Sequence, residues 1–295
     1  MSIPLILTSL LTTSAVLAFP NVRRAPQVYD ACINANDIAL TFDDGPYIYL
    51  RSISDQFTAA GAKATFYMNG NNWDCIYNAD RISDVKYAYA AGHMIGSHTW
   101  SHADLTTLST AQIQDGMFRM EEAFSRILGI KPAFMRPPFG SYNDNIQSIA
   151  AARGQSLALW DWDTGDADGN TTAQSEALYN DVISAKVKNA LILEHETEET
   201  TANTLVPFAI KLFQGKGYNV IPTFGRYYFS LTIPLARDDG PMPRCQPLPG
   251  HRSCTATNRV LDVRWNTRSW RSLRRLHRMR NRHTRLLEYD HFRPD

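Results

Sequence analysis

The fold of this 295-residue chain is decided by the stretch Thr41-Phe42-Asp43-Asp44-Gly45-Pro46. Residues 37–40, just before it, form a short and mostly apolar run that is typical of a buried strand, and Gly45-Pro46 then forces a turn. Two adjacent carboxylates therefore lie where a strand meets a loop, which is where α/β folds carry reactive groups. Neighbouring carboxylates resist joint ionisation unless a cation or separate partners stabilise them. The stretch is either a plain Asp-Gly turn or a site in which one aspartate binds a metal and the other acts as a base.

Outward from this stretch, short apolar runs alternate with longer amphipathic segments as far as residue 222. The apolar runs predict seven strands, at residues 37–42, 64–68, 94–97, 133–136, 156–160, 190–194 and 219–222. The segments between them predict helices at residues 50–60, 81–91, 109–128, 143–152, 173–185 and 200–214. Alternating strands and helices indicate parallel pairing with right-handed crossovers. We therefore predict an α/β fold, a distorted or incomplete (β/α) barrel of about seven strands.

Reactive side chains follow five of these predicted strands. In chain order they are Asp43 with Asp44, His98, Arg136, Asp163 with Asp166, and His195. In a parallel barrel the carboxyl ends of all strands meet at one end of the molecule. The pattern therefore predicts that these side chains form a single site.

Two histidines, His98 and His102, are spaced four residues apart. On a helical turn this spacing brings both imidazoles to one face, close enough to share a metal. Such pairs also occur on ordinary surfaces, but only four histidines precede residue 226, and three of them fall at strand ends. A catalytic zinc takes three protein ligands and leaves one position open. Either Asp43 or Asp44 supplies the third ligand, which leaves the other aspartate to act as a base.

The segment Arg136-Pro137-Pro138-Phe139-Gly140 predicts a rigid turn, because two prolines fix the backbone. The N–H of Phe139 is a candidate oxyanion donor. Arg136 is suited to pair with an aspartate and keep it ionised. The alternative is a proline-rich loop with a solvated arginine.

Three acids, Asp161, Asp163 and Asp166, follow the fifth predicted strand. They are either solvated, calcium ligands, or partners that orient His195 and raise its pKa. In the last case His195 becomes a protonated acid able to donate to a leaving group.

The first residues predict secretion. Residues 3–18 are apolar or small and uncharged, end in a sequence that resembles a signal-peptidase site, and are too short to span a bilayer. We expect a signal peptide at residues 1–18, a short segment at 19–29 and no membrane span. The four cysteines are compatible with disulfides in an oxidising compartment, but their spacing does not reveal the pairing: Cys32, Cys75, Cys245 and Cys254.

Charge divides the chain into two parts. Residues 1–225 carry 15 Lys and Arg against 23 Asp and Glu, whereas residues 226–295 carry 15 arginines, no lysine and six acids. We take residues 30–225 as a folded domain and 226–295 as an irregular basic C-terminal tail. The tail fits three interpretations: a surface for an anionic polymer or membrane, a disordered segment, or an abnormal C-terminus from a misread exon boundary. The abrupt loss of lysine favours the last. We expect a monomer and no nucleic-acid partner.

Taken together, five motifs over residues 30–223 make the chain resemble the polysaccharide deacetylase family, the NodB-homology carbohydrate esterases, and most closely the secreted fungal chitin deacetylases. In chain order they are Thr41-Phe42-Asp43-Asp44-Gly45-Pro46, His98-Thr99-Trp100-Ser101-His102, Arg136-Pro137-Pro138-Phe139-Gly140, Asp163-Thr164-Gly165-Asp166 and Leu193-Glu194-His195. The resemblance implies hydrolysis of N-acetyl groups on N-acetylglucosamine units of an N-acetylated polysaccharide such as chitin. The resemblance also implies a bound metal, which in this family is usually zinc, with another divalent ion such as Co²⁺ as the alternative.

The resemblance also implies a role for each site residue. Asp44, His98 and His102 bind the metal. Asp43 is the general base and Arg136 positions it, while the Phe139 N–H helps to stabilise the oxyanion. His195 is the general acid, tuned by Asp166.

Two departures from the family pattern are visible. The fourth motif normally continues with Trp, where this chain has Ala167, which weakens one wall of the site. Fungal relatives usually end with a cysteine that ties back to one before the first strand, so Cys32 is expected either to pair with Cys245 or to remain unpaired.

Other functions stay open from the sequence. Peptidoglycan N-deacetylation and acetylxylan O-deacetylation use the same chemistry. A non-catalytic chitin-binding protein is the alternative of a different class, but such a protein is expected to have lost a ligand or the base, and neither is lost here. Four aromatic residues are candidates for sugar contact or for core packing: Trp73, Trp100, Tyr142 and Trp162.

Overall fold

The computed structural model describes residues 27–223, 233–234 and 242–245, all within one compact unit, Met1–Leu248. The predicted signal peptide lies outside the described residues. Of the predicted basic tail, residues 226–295, only 233–234 and 242–245 are among the described residues. No helix among the described residues is both long and apolar enough to cross a membrane.

The seven predicted strands and six predicted helices are all present, with most ends shifted by no more than two residues. The strands are β1 (Val28–Tyr29), β2 (Asp37–Asp43), β3 (Thr65–Met68), β4 (Met94–Ser97), β5 (Ile130–Lys131), β6 (Phe134–Met135), β7 (Ser156–Ala158), β8 (Trp162–Asp163), β9 (Ala190–His195), β10 (Asn219–Val220) and β11 (Ile233–Pro234). The helices are α1 (Leu50–Ala59), α2 (Ala79–Ala90), α3 (Thr110–Leu128), α4 (Asp144–Ala152), α5 (Thr172–Ser184) and α6 (Val206–Gly215). A single π-helical turn, Thr201–Leu205, precedes α6, so this helix begins later than predicted.

Nine strands form one sheet in the order β1-β7-β6-β4-β3-β2-β9-β8, with β10 also paired to β2. Every neighbouring pair in this sheet is parallel. The short strands β5 and β11 pair antiparallel with each other. The carboxyl ends of the nine parallel strands therefore lie on one side of the molecule, as the sequence predicts.

The sheet is curled. β7 lies next to one end of the strand order and β8 forms the other end, yet only residues 159–161 separate them in the chain. A connection of this length spans at most about 14 Å. The two ends of the sheet must therefore approach each other, and the fold is an incomplete (β/α) barrel, which confirms the predicted fold class.

Strand β2 is buried along its whole length and separates two environments. Ile38, Leu40 and Phe42 belong to the main apolar core, together with Phe57 of α1. Successive side chains of a strand point to opposite faces. Thr41 therefore faces the other way, toward the barrel interior, and accepts a hydrogen bond there from Arg136.

Of the two alternatives expected for Cys32, pairing with Cys245 is wrong, whereas an unpaired Cys32 is what the structure shows. Cys75 forms a disulfide with Cys245, whereas Cys32 is a buried free thiol whose Sγ lies 3.1 Å from the Ala190 carbonyl oxygen. Ala190 begins β9, whereas Gly70, whose carbonyl lies beside Cys245, follows the end of β3. Cys32 and Cys245 thus lie at opposite ends of the parallel strands, too far apart for a disulfide. Cys254 lies outside the described residues.

Candidate functional site

The first part of the site is the turn that follows β2. Asp43 is the last residue of this strand and is buried. Asp44 has a left-handed backbone with φ +75°, so the chain turns away at once and the two carboxylates do not point in the same direction. A Cβ at Gly45 would lie 2.2 Å from the carboxyl group of Glu196, and only glycine therefore fits there.

The second part is the loop that follows β4, which carries His98 and His102. This loop is not the helical turn that their spacing suggests, because Thr99 and His102 have left-handed backbones with φ +69° and +54°. The two rings are nevertheless close, with centroids 4.9 Å apart. His98 Nδ1 lies 2.7 Å from the carbonyl oxygen of Arg136. Because a carbonyl only accepts hydrogen bonds, Nδ1 carries the proton and Nε2 keeps its lone pair.

Three ligand atoms converge between these two loops. Asp44 Oδ1 lies 3.3 Å from His102 Nε2 and 3.7 Å from His98 Nε2, and the ligand atoms of all three residues lie within 4.8 Å of one another. Bond lengths of 2.0–2.1 Å around tetrahedral zinc place ligand atoms about 3.4 Å apart. Burial and the neighbouring His102 lower the pKa of His98 to about 3, which keeps this imidazole neutral. The donor set therefore fits a zinc-like divalent cation.

Arg136 lies fully buried beside this cluster, so the alternative of a solvated arginine is wrong. Its Nη1 donates to Asp43 Oδ1 and to Thr41 Oγ1, each at 2.8 Å. Its Nε and Nη2 donate to two backbone carbonyls, and its guanidinium lies 4.2 Å from the centroid of the Tyr67 ring. Burial raises the pKa of Asp43, and the charges of Arg136 and His195 oppose this rise without cancelling it. Asp43 Oδ2, the oxygen that Arg136 does not bind, lies 3.6 Å from His98 Nε2 and faces the cluster.

The third part of the site is His195, the last residue of β9. It is the register partner of Asp43 in the ladder between β2 and β9. Its Nδ1 lies 2.8 Å from Asp166 Oδ1, and its backbone N–H donates to Asp166 Oδ2. Burial alone would lower the pKa of His195, but the charge and hydrogen bond of Asp166 outweigh it and raise this pKa to about 10. For Asp166, burial alone would raise the pKa, but the charge and hydrogen bonds of His195 outweigh it, so this pKa is lowered.

The three acids after the fifth predicted strand have different partners. Asp161 accepts a hydrogen bond from the backbone N–H of Leu191, and exposed Asp163 accepts one from that of Gly165. Only Asp166, among the three, is hydrogen-bonded to His195. Residue type alone left the three acids as alternatives, and the family resemblance named Asp166, which is the one that contacts His195 in the structure.

The remaining predicted residues are Phe139 and the four aromatic candidates for sugar contact. Phe139 has a left-handed backbone with φ +61°, and its ring centroid lies 4.7 Å from that of His102. Trp73 and Tyr142 are exposed, whereas Trp100 is buried in the main core and Trp162 is half-buried against it. Trp73 and Tyr142 therefore stay candidates for sugar contact, and Trp100 is a packing residue.

Sequence reasoning missed two polar residues of the site, Asn69 and Asn72. Both belong to the loop that directly follows β3, and Asn72 donates a hydrogen bond to Asp44. The available signal was the position of this polar loop after a buried strand, the same signal that marks the other site residues.

Comparison with known proteins places these observations in a family. Residues 30–158 match the family model described as polysaccharide deacetylase. The chain is 39% identical over 190 residues to a chitin deacetylase of Pestalotiopsis sp, covering 64% of this chain and 63% of that relative. It is 34% identical over 195 residues to a chitin deacetylase of Colletotrichum lindemuthianum, covering 64% of this chain and 79% of the relative.

A solved structure and a bacterial relative give the same result. The solved structure of the chitin deacetylase from Colletotrichum lindemuthianum superimposes with a TM-score of 0.65 at 32% identity, covering 68% of this chain and 90% of that one. A peptidoglycan-N-acetylglucosamine deacetylase of Bacillus cereus is 30% identical over 180 residues, covering 61% of this chain and 62% of that relative. The chain belongs to the polysaccharide deacetylase family of hydrolases.

Proposed function

We propose that this protein is a secreted, metal-dependent hydrolase that removes N-acetyl groups from N-acetylglucosamine units of chitin or chito-oligosaccharides. The observation that carries this proposal is the convergence of the Asp44, His98 and His102 ligand atoms within 4.8 Å of one another, beside a carboxylate held by Arg136. The fungal relatives at 39% and 34% identity are named chitin deacetylases, which favours chitin as the substrate.

In this proposal Asp44, His98 and His102 hold a divalent cation, with zinc as the expected metal and Co²⁺ as an alternative. When bound, such an ion polarises the amide carbonyl and lowers the pKa of a water molecule toward about 7. The neutral imidazole of His98 supports this role, because a metal ligand must offer a lone pair.

Asp43 is the proposed general base. Arg136 binds one of its oxygens at 2.8 Å, and the other faces the ligand cluster. This arrangement orients the free oxygen toward a water molecule beside the cluster, from which it accepts a proton. A positioned base of this kind contributes roughly 10²–10⁴ in rate.

His195 is the proposed general acid. Its Nδ1 proton is engaged by Asp166, so Nε2 is the ring nitrogen that remains for the substrate. The raised pKa keeps the imidazolium protonated at neutral pH, ready to donate to the leaving amine. We propose that the backbone N–H of Phe139 donates to the oxyanion that develops on the carbonyl oxygen.

A second candidate substrate is peptidoglycan, which the Bacillus cereus relative at 30% identity favours. Acetylxylan is a further substrate for the same chemistry. The alternative of a different class is a non-catalytic chitin-binding protein, for which an intact base and ligand set have no use.

Acetate release decides between these functions. We expect the purified protein to release acetate from chitin oligomers faster than from peptidoglycan or acetylxylan, and to lose this activity in a chelator until zinc is restored. Release that is insensitive to the chelator would contradict the metal mechanism. No release from any of the three substrates would favour the binding protein.

A further inference from the structure

We infer that the side-chain amides of Asn69 and Asn72 position Asp44 relative to His98 and thereby set the geometry of the metal site. This inference rests on the proposed function, since it concerns the same site. It assigns a positioning role to two residues that touch neither the metal nor the substrate in the mechanism above.

Asn72 reaches the ligand oxygen itself. Its Nδ2 donates to Asp44 Oδ1 at 3.1 Å, and the same Oδ1 lies 3.3 Å from His102 Nε2. A carboxylate oxygen has two lone pairs. One lone pair of Oδ1 accepts the amide proton, and the other stays available for a cation, so the amide fixes the direction in which the carboxylate offers its ligand.

Asn69 carries this constraint to the histidine loop. The Nδ2 of Asn72 also lies 3.2 Å from Asn69 Oδ1, and the Nδ2 of Asn69 donates to the carbonyl oxygens of His98 and Thr99. Asn69 is almost fully buried. A continuous series of hydrogen bonds therefore runs from Asp44 to the backbone of His98.

The backbone of the same loop supports this connection. The N–H of Asn69 donates to the Gly45 carbonyl at 2.7 Å, and the N–H groups of Gly70 and Asn71 donate to the Trp100 carbonyl. The loop is thus bonded to the turn that carries Asp44 and to the loop that carries both histidines. A Cβ at Gly70 would lie 2.0 Å from the Trp100 ring, so only glycine allows this close approach.

The sheet order explains why Asp44 and His98 need a connection through the loop after β3. Asp44 follows β2 and His98 follows β4, and these strands are not neighbours, because β3 lies between them. No ladder hydrogen bond between β2 and β4 sets the distance between the two ligands. The loop after β3 is the element placed between both, and its two amides add no net charge to the site. Their contribution is therefore to orientation.

The test is metal affinity of the purified apoprotein, measured by competition with a chromophoric chelator for Zn²⁺ and by the visible absorption of bound Co²⁺. Asn72→Ala removes the bond to Asp44. The matched control is Asn219→Ala, because the Nδ2 of Asn219 donates to Asp37 Oδ1 at the same 3.1 Å but at the opposite end of β2. Outer partners of metal ligands typically contribute 10–100-fold in affinity.

We expect Asn72→Ala to weaken Zn²⁺ binding about 10–100-fold and to alter the Co²⁺ spectrum, with Asn219→Ala equal to the unsubstituted protein. Unchanged affinity and spectrum in Asn72→Ala would overturn the inference, as would an equal loss in the control. Should Asn72→Ala fail to fold, NMR of the unsubstituted chain gives the answer. The Asn72 side-chain N–H signals must then shift when Zn²⁺ is added, and unshifted signals would overturn the inference. If the unsubstituted protein binds neither metal, the proposed function fails instead.

Discussion

Asp166 and His195 share a hydrogen bond of 2.8 Å in which each side chain changes the charge state of the other. The pKa of His195 is raised to about 10, and that of Asp166 is lowered. The contact between these two side chains is the main cause that opposes burial in both cases, so a single substitution tests the assignment of His195 as the acid.

Asp166→Asn removes the largest of the charges that raise the pKa of His195, so this pKa falls toward its ordinary 6.5. At pH 8 a group with a pKa of 6.5 is about 3% protonated, so we expect kcat at pH 8 to fall by up to roughly 30-fold. The alkaline limb of the pH–kcat profile should move to lower pH.

Asp163→Asn is the control for this prediction, since the Asp163 carboxylate lies in the same loop but accepts its bond from Gly165 N–H. We expect the control to keep the alkaline limb of the unsubstituted protein. If the alkaline limb of Asp166→Asn stayed at the same pH as that of the unsubstituted protein, His195 would not be the acid.

Glu196 is fully buried against Gly45, and burial raises its pKa to about 8. Because the folded state resists ionisation of this carboxyl, its contribution to stability is fully present below pH 4.5, the unfolded value, and is lost as the pH rises through 8. Glu196→Gln removes the titration. We expect urea unfolding to show the variant gaining stability relative to the unsubstituted protein between pH 5 and pH 9, and a pH-independent difference would contradict this.

At the scale of elements, the ladder between β2 and β9 brings the proposed base and the proposed acid together in one site. These strands are neighbours with Asp43 and His195 in register, although 152 positions separate them in the sequence. Register partners in a parallel pair project to the same face of the sheet. Backbone hydrogen bonds between the two strands therefore hold the two proposed proton-transfer groups together.

The disulfide is an element-scale feature as well, because Cys75 belongs to the loop between β3 and α2 and Cys245 lies 170 residues later. A cross-link that closes a long loop stabilises a protein mainly by restricting the unfolded chain, typically by about 2–5 kcal/mol. We expect the double variant Cys75→Ser/Cys245→Ser to lose free energy of unfolding in this range, measured by urea unfolding.

Cys32→Ala serves as the comparison for that loss, since Cys32 is a free thiol. Its substitution should leave the response to a reducing agent intact, whereas the double variant should no longer respond. Peptide mapping without reduction that joined Cys32 to Cys245 would contradict the pairing.

At the scale of the whole molecule, the proposed metal binding is coupled to folding stability, because the three candidate ligands come together only in the folded chain. A ligand that binds only the folded state at 100 times its Kd adds about 2.7 kcal/mol to the free energy of unfolding. We expect zinc to raise the Tm of the apoprotein and a chelator to reverse the rise. Asp44→Ala should show no rise, and an equal rise in this variant would place the zinc elsewhere.

Much of the fold was predictable because its signals are local. Seven strands, six helices and the parallel arrangement followed from hydrophobic periodicity. Four short strands, β1, β5, β8 and β11, were not predicted, and the predicted strand at 156–160 ends instead at Ala158, where the chain leaves for β8 at the other end of the sheet. Pairing at that end depends on β9, which lies almost thirty residues later in the chain.

The sequence by itself determined the residue types of the candidate site and the class of fold: an Asp-Asp-Gly-Pro turn after a buried strand, histidines and an arginine after others, and strands that alternate with helices. Those signals are local, since periodicity and residue type need no knowledge of distant neighbours. Only the tertiary structure decided that Cys75 rather than Cys32 pairs with Cys245, and that Asn72 binds Asp44. The reason is that contacts between strand ends follow the order of strands in the sheet, which differs from their order along the chain.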